Sequence, residues 1–149
     1  MIVLLILALV AVYFGVIRDS LMVKDRGHDS ACIAKAALQV FFSICDRWDL
    51  SVEQEIKLLG SPTENEFSIW KENSTDIELG KVTLVRISHL MCIYHNLRTL
   101  LPDEEAANTW IKRENSGALF SGDSALNYLL NGDVFELKKL HQYLDNECL

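Results

Sequence analysis

Apolar residues recur every three or four positions along most of this chain, which is the spacing of helices that bury one face. Strict alternation of apolar and polar residues, the pattern of a half-buried strand, never persists. The sequence therefore predicts an all-α protein. The predicted helices cover residues 31–46, 52–59, 62–71, 79–100, a segment from 103 that carries Trp110, residues 123–130 and residues 134–146.

Capping residues divide these helices. Ser51 and Gln54 have capping-box spacing at the start of a short helix, and Gly60 ends it. Ser61 is the predicted N-cap of the next helix because Pro62 suits its first position. Two short helices joined by a tight Gly-Ser turn are typical of a helix-turn-helix. The remaining predicted end signals are Asp29 or Ser30, Asn73, Pro102 and Asp133.

The first 17 residues form an apolar run, and residues 1–21 are set apart as a separate segment. Seventeen residues lie at the lower edge of what spans a bilayer. Arg18, Lys24 and Arg26 follow the run, so a membrane anchor here would leave the C-terminus in the cytoplasm. The other hypothesis, which we favour, is that translation starts at Met22 and that the protein is cytoplasmic.

The formal net charge is −7, and its distribution is uneven. From Pro102 onward there are nine Asp or Glu residues against four Lys or Arg, whereas residues 22–101 hold eleven against nine. The acidity therefore lies mainly near the C-terminus. An acidic surface repels phosphate backbones and suits a cationic protein partner.

No residue pattern points to catalysis, to a cofactor or to a metal site. The four cysteines have irregular spacing and are expected to be reduced thiols. The four histidines lack metal-ligand spacing. The Gly-rich segment 117–124 has the outer spacing of a phosphate-binding loop, but Asp123 stands where that loop needs Lys. We therefore expect a protein that is not an enzyme and that binds no cofactor.

The predicted helix-turn-helix offers few groups for DNA. Two carboxylates, those of Glu64 and Glu66, would face the phosphates, although affinity for DNA depends on cationic contacts. A helical hairpin within a bundle core is therefore at least as good an interpretation. The candidate DNA-binding residues are Ser61, Thr63, Asn65 and Lys71.

The segment after Trp110 predicts a shaped loop. Glycines and serines surround Phe120, so its ring is either tucked into the core or offered outward as an anchor for a partner. The sequence leaves these two orientations open, whereas Trp110 is expected to lie in the core.

The order of these residues resembles the Xre/MbcA/ParS type of bacterial antitoxin from about Asp49 to the C-terminus. The helix-turn-helix part of the resemblance consists of Leu50-Ser51, Glu55, Leu58-Leu59-Gly60, Trp70-Lys71, Arg86, Ile93-Tyr94, Leu97-Arg98 and Pro102. The more specific part is similar to the toxin-binding domain and consists of Ala107, Trp110-Ile111, Asn115, Phe120, Gly122, Ala125-Leu126, Gly132, Leu137 and Tyr143-Leu144-Asp145.

This resemblance implies an Xre-like helix-turn-helix domain at 30–101 and a toxin-binding domain at 102–149. It implies a non-catalytic antitoxin that occludes the active site of a cognate, NAD-consuming RES-domain toxin in a hetero-oligomer. Operon repression by that complex at operator DNA is a further expectation, and a DNA-binding regulator is the alternative function. The implied toxin-binding residues are Asn115, Ser116, Phe120, Gly122, Asp123, Tyr143, Asp145 and Glu147.

The chain departs from the family in two places. Residues 116–118 are Ser-Gly-Ala where the family often has proline, and the second helix of the predicted helix-turn-helix is unusually acidic. The second departure counts against DNA binding by the chain alone, although a multivalent complex could compensate.

Overall fold

The helical pattern is realised as an all-α fold in residues 27–72 and 77–149, which are the residues that the computed structural model describes. The prediction of an all-α protein is confirmed. Within those ranges the only extended pairing is an isolated antiparallel bridge between Glu114 and Ser124. The helices are α1 (Gly27–Arg47), α2 (Val52–Leu59), α3 (Glu64–Lys71), α4 (Lys81–Leu100), α5 (Glu104–Trp110), α6 (Ala125–Leu130) and α7 (Val134–Glu147).

Three of the predicted helix ends are confirmed by their hydrogen bonds. The Ser51 hydroxyl accepts a bond from the Gln54 amide while the Gln54 side chain accepts one from the Ser51 amide, so the capping box starts α2. Gly60 ends α2 in the left-handed region at φ 97°. At the other end of the chain, Asp133 caps α7 and forms a second capping box with Glu136.

Two predicted caps are wrong. Thr63, not Ser61, caps α3, and the Glu66 side chain completes the capping box. Ser61 instead lies in the preceding turn at φ 59°. Asp29 and Ser30 cannot cap α1, because that helix already begins at Gly27. The predicted C-terminal role of Asn73 falls outside the described residues.

The remaining boundaries shift by one to a few residues. The helix predicted from 79 begins at Lys81, after the uncapped Gly80. Asp103 is the N-cap of α5 and not part of its first turn, where Glu104 and Glu105 complement the helix dipole. Ser124 caps α6, so that helix begins two residues after Asp123.

Helix α4 lies at the centre of the fold and packs against α1, α2, α5 and α7. Its most extensive contact is with α7. Leu90 and Leu97 of α4 belong to the same buried cluster as Leu137 and Leu144 of α7. One core therefore includes residues from both predicted units, 30–101 and 102–149.

Arg86 ties α4 to the end of α2. Its guanidinium is buried and donates hydrogen bonds to the carbonyls of Leu58 (2.8 Å) and Lys57 (3.2 Å) at the C-terminal end of α2. A Cβ at position 60 would lie 3.2 Å from the Arg86 Cδ. Gly60 therefore serves both the left-handed turn and the close approach of this side chain.

No helix in the described ranges is long and apolar enough to cross a membrane. The apolar segment 1–17 and the predicted start at Met22 lie outside those ranges.

Candidate functional site

Main-chain hydrogen bonds join the two ends of the loop between α5 and α6. The Asn115 amide donates to the Asp123 carbonyl and the Gly122 amide donates to the Asn115 carbonyl, both at 3.1 Å. Inside this stem, the amides of Phe120 and Ser121 both donate to the Gly117 carbonyl. Residues 115–123 therefore form a defined loop, which we call the closed loop.

The closed loop is filled by the ring of Phe120. This ring is only 3% exposed and lies edge-on to Trp110, Tyr128 and Tyr143, with centroid distances between 5.7 and 5.9 Å. Edge-on aromatic pairs add to the free energy of burial. Of the two orientations that the sequence allows, the structure has the inward one. The Phe120 ring therefore does not project outward as an anchor for a partner. It packs inward and stabilises the loop.

An open groove of about 600 Å³ runs beside the closed loop. Its lining residues come from the loop, from α6, from the turn between α6 and α7, and from the first turn of α7. They are Phe120, Asp123, Asn127, Tyr128, Asn131, Gly132, Asp133 and Glu136. Gly132 is required here because the Glu136 side chain folds over it, with its Cβ 2.6 Å from where a Cβ of residue 132 would lie. The floor of the groove is thus aromatic and its rim is polar.

The rim of the groove is negatively charged. Asp123 is exposed, and its carboxylate accepts hydrogen bonds from the Ser124 amide (2.7 Å) and the Asn127 side chain (2.8 Å). Asp133 and Glu136 accept backbone hydrogen bonds through the capping box. None of these three carboxylates forms an ion pair with a residue in 27–72 or 77–149. Burial and the nearby Glu136 raise the pKa of Tyr128.

The implied toxin-binding residues divide between two places. Tyr143 packs against Phe120, so α7 brings it to the closed loop with Asn115, Ser116, Gly122 and Asp123. Asp145, by contrast, accepts a 2.7 Å hydrogen bond from Asn96 of α4 and lies 3.2 Å from the His141 ring. Glu147 is exposed at the end of α7. Asp145 is therefore part of the contact between α4 and α7, away from the loop.

The candidate DNA-binding residues lie at and after the turn between α2 and α3. Ser61, Thr63 and Asn65 are exposed. Hydrogen bonds from the amide and hydroxyl of Thr63 stabilise the ionised Glu66 and lower its pKa, so a negative charge persists at the start of α3.

Lys71, the single cation of α3, already has an intramolecular partner. Its ammonium lies 2.7 Å from the carboxylate of Glu55, whose side chain is only 4% exposed. The same ammonium lies over the rings of Phe42 and Phe67. A phosphate would have to compete with these contacts.

Three of the described thiols are poor nucleophiles. Burial raises the pKa of Cys45 far above its ordinary value and that of Cys92 to about 11, and it also raises the pKa of Cys148. In the described part of the chain, no three residues of the types His, Cys, Asp and Glu are grouped so that they could hold a metal ion.

The sequence does not reveal most of the groove. Asn127, Asn131 and Glu136 line it, although none of them belongs to the predicted site. The only signals are local: Asn127 and Asn131 are four apart, and Glu136 has capping-box spacing from Asp133. Neither signal predicts that these side chains line the same groove as Phe120.

Comparison with known proteins identifies a relative whose activity is not described. No family model matches the chain, and no solved structure matches it. An uncharacterized protein of Sinorhizobium fredii, y4oB, is 43% identical over 117 residues, which are 78% of this chain and 87% of the relative. The chain therefore belongs to the same family as the uncharacterized protein y4oB.

Proposed function

We propose that the chain is an antitoxin of the Xre/MbcA/ParS type, which binds a cognate RES-domain toxin in the cytoplasm and neutralises it. The observation that carries this proposal is the acidic groove beside the closed loop. Asp123, Asp133 and Glu136 lie on its rim without an intramolecular ion pair in the described residues. The charges of Asp123 and Glu136 are therefore free to meet cations on another protein, whereas Asp133 also interacts with Arg86.

Charge complementarity favours a partner with a nucleotide-binding cleft. A cleft that binds the phosphates of NAD presents cationic side chains or amide donors. Carboxylates on a neighbouring protein can occupy the same donors. The closed loop suits this task because its shape is set by main-chain hydrogen bonds and by Phe120, so little conformational freedom is lost on binding.

The proposed inhibition is competition for the cleft. The antitoxin does no chemistry; it places the closed loop and the groove rim over the toxin's active site and excludes NAD. The exposed Ser116 and Asp123 would contact the toxin, while Phe120 and Tyr143 hold the loop in place. Asp145 would contribute indirectly, through the contact between α4 and α7.

The test is co-expression in bacteria with a RES-domain toxin encoded beside the gene. Asn131→Arg places a cation at the exposed groove rim, so we expect loss of growth rescue and at least about tenfold weaker binding of the purified toxin. Ser43→Arg, an exposed position on α1, is the matched control and should rescue growth like the wild type.

Two results would count against this proposal in different ways. If the wild-type chain neither binds the toxin nor rescues growth, the proposed function is wrong. If the wild type rescues growth and both Asn131→Arg and Asn127→Arg do so equally well, the antitoxin function stands but the groove is not its binding surface.

The alternative is a transcriptional regulator that acts mainly through a helix-turn-helix. The exposure of Ser61, Thr63 and Asn65 favours it. The pairing of Lys71 with Glu55 and the negative charge of Glu66 weigh against DNA binding by the chain alone. We therefore assign operator binding, if it occurs, to the toxin–antitoxin complex.

A further inference from the structure

A chain of polar side-chain contacts joins α4 to α7. The Nδ1 atoms of His89 and His141 lie 3.1 Å apart. On the other side of its ring, His141 Nε2 lies 3.2 Å from a carboxylate oxygen of Asp145. The second oxygen of Asp145 accepts a 2.7 Å hydrogen bond from Asn96. The two histidines stand 52 positions apart in the chain and link the two helices with the most extensive contact in the fold.

The short distance between the rings limits how many protons they can carry. When neutral His141 carries its proton on Nε2, beside Asp145, its Nδ1 is an acceptor, and His89 Nδ1–H donates to it. One added proton at His89 Nε2 leaves this hydrogen bond in place. A second added proton puts an N–H on both facing nitrogens, so the two donors repel and the bond is lost.

The surroundings of His89 oppose its protonation. Burial, His141 and Lys138 together lower the pKa of His89. Asp145 is the anion beside His141. The thiol of Cys92 is not a second anion, because burial and Asp145 raise its pKa to about 11.

We propose that the His89–His141 pair is a proton-sensitive joint between α4 and α7, which holds with at most one added proton and opens with two. Loss of the hydrogen bond between the two rings loosens α7, and Tyr143 then loses its contact with Phe120 in the closed loop. The inference concerns the isolated chain and does not depend on which partner, if any, the groove binds.

The direction of the pH effect follows from His89. Its pKa lies below the ordinary value of 6.5 in the folded chain, so the unfolded chain binds more protons as the pH falls through 6.5. The contribution of the pair to stability is therefore present above pH 6.5 and is lost progressively below it.

The experiment compares the wild type with His89→Asn, in which the amide nitrogen replaces the Nδ1 donor but does not titrate. Urea unfolding is followed at pH 7.5 and 5.5. Between these two pH values we expect the folding equilibrium constant of the wild type to fall at least about threefold more than that of the variant, because the folded chain resists protonation of His89. In the wild type, hydrogen-exchange protection of the α7 amides should fall at pH 5.5 more than that of α1.

His95→Asn is the matched control, because His95 is also half-buried on α4 but is not paired with His141. It should keep the pH dependence of the wild type. Equal pH dependence in wild type and His89→Asn would overturn the proposal. If His89→Asn does not fold, NMR titration of the wild-type imidazole protons decides: coupled titration of His89 and His141 supports the joint, and two independent titrations overturn it.

Discussion

The α2–α3 pair and the closed loop with its groove use their charged groups in opposite ways. In the first region, Lys71 neutralises Glu55 and Arg86 satisfies the carbonyls at the end of α2. In the second, Asp123 and Glu136 receive hydrogen bonds but no cation in the described residues. The cations of the first region stabilise the fold, whereas the second presents unneutralised charge on a rigid frame. That difference is why we place partner binding at the C-terminal end.

The largest expected effect is at the aromatic support of the closed loop. Phe120→Ala removes a ring that is 3% exposed and has three edge-on partners, so the free energy of unfolding should fall by about 3–5 kcal/mol. Phe135→Ala is the control, because that ring is 56% exposed, and its effect should stay below about 1 kcal/mol. Urea unfolding followed by circular dichroism measures both.

A loss below about 1 kcal/mol for Phe120→Ala would show that the loop does not depend on this ring. The closed loop would then not be the rigid frame that we contrast with the α2–α3 pair.

An intermediate effect is expected at the ion pair of the α2–α3 region. Lys71→Met keeps the aliphatic stem over Phe42 and Phe67 but leaves the buried Glu55 carboxylate without its cation. The Lys71 side chain is 44% exposed, so water screens part of the pair and we expect a loss of about 1–2 kcal/mol.

The double variant Glu55→Gln/Lys71→Met should recover part of that stability, because no buried charge remains unpaired. Lys57→Met, an exposed position on α2, is the control and should change the free energy of unfolding by less than about 0.5 kcal/mol. Additive effects of the two single substitutions would mean that Lys71 is not committed to Glu55 and is available to a partner.

The smallest expected effect is on the binding of DNA. For the isolated chain, binding of duplex DNA at low salt should be too weak to give a measurable salt dependence, and Asn65→Ala should change nothing. Glu64→Lys/Glu66→Lys should create salt-dependent binding, which shows that the assay can detect it. A steep salt dependence in the wild type, lost in Lys71→Met, would favour the transcriptional regulator.

The sequence predicts well the structural features that depend on residues close together in the chain, and less well those that depend on residues far apart in it. The capping box of Ser51 with Gln54 and the cap at Asp133 could be read directly, since each acts within one turn. The start of α3 was misplaced because two signatures overlap: Ser61-Pro62 and Thr63-Glu66 both suit a helix start, and the hydrogen bonds decide for the second.

The candidate site is less predictable because its determinants are distant in the chain. The sequence identifies the closed loop but not the direction of Phe120, which depends on Tyr143 of α7. The pairing of Lys71 with Glu55 spans 16 positions and that of His89 with His141 spans 52. No periodicity within one helix contains this information; only the tertiary packing of separate elements supplies it.

The stem of the closed loop is tied through the main chain at Asn115, Gly122 and Asp123. Those bonds place few demands on the identity of the exposed tip, where Ser116 and Ala118 stand. The tip can accordingly change from one member of the family to another while the frame that carries it keeps its shape. Under the proposed function, the tip could be adapted to a different toxin at little cost in folding.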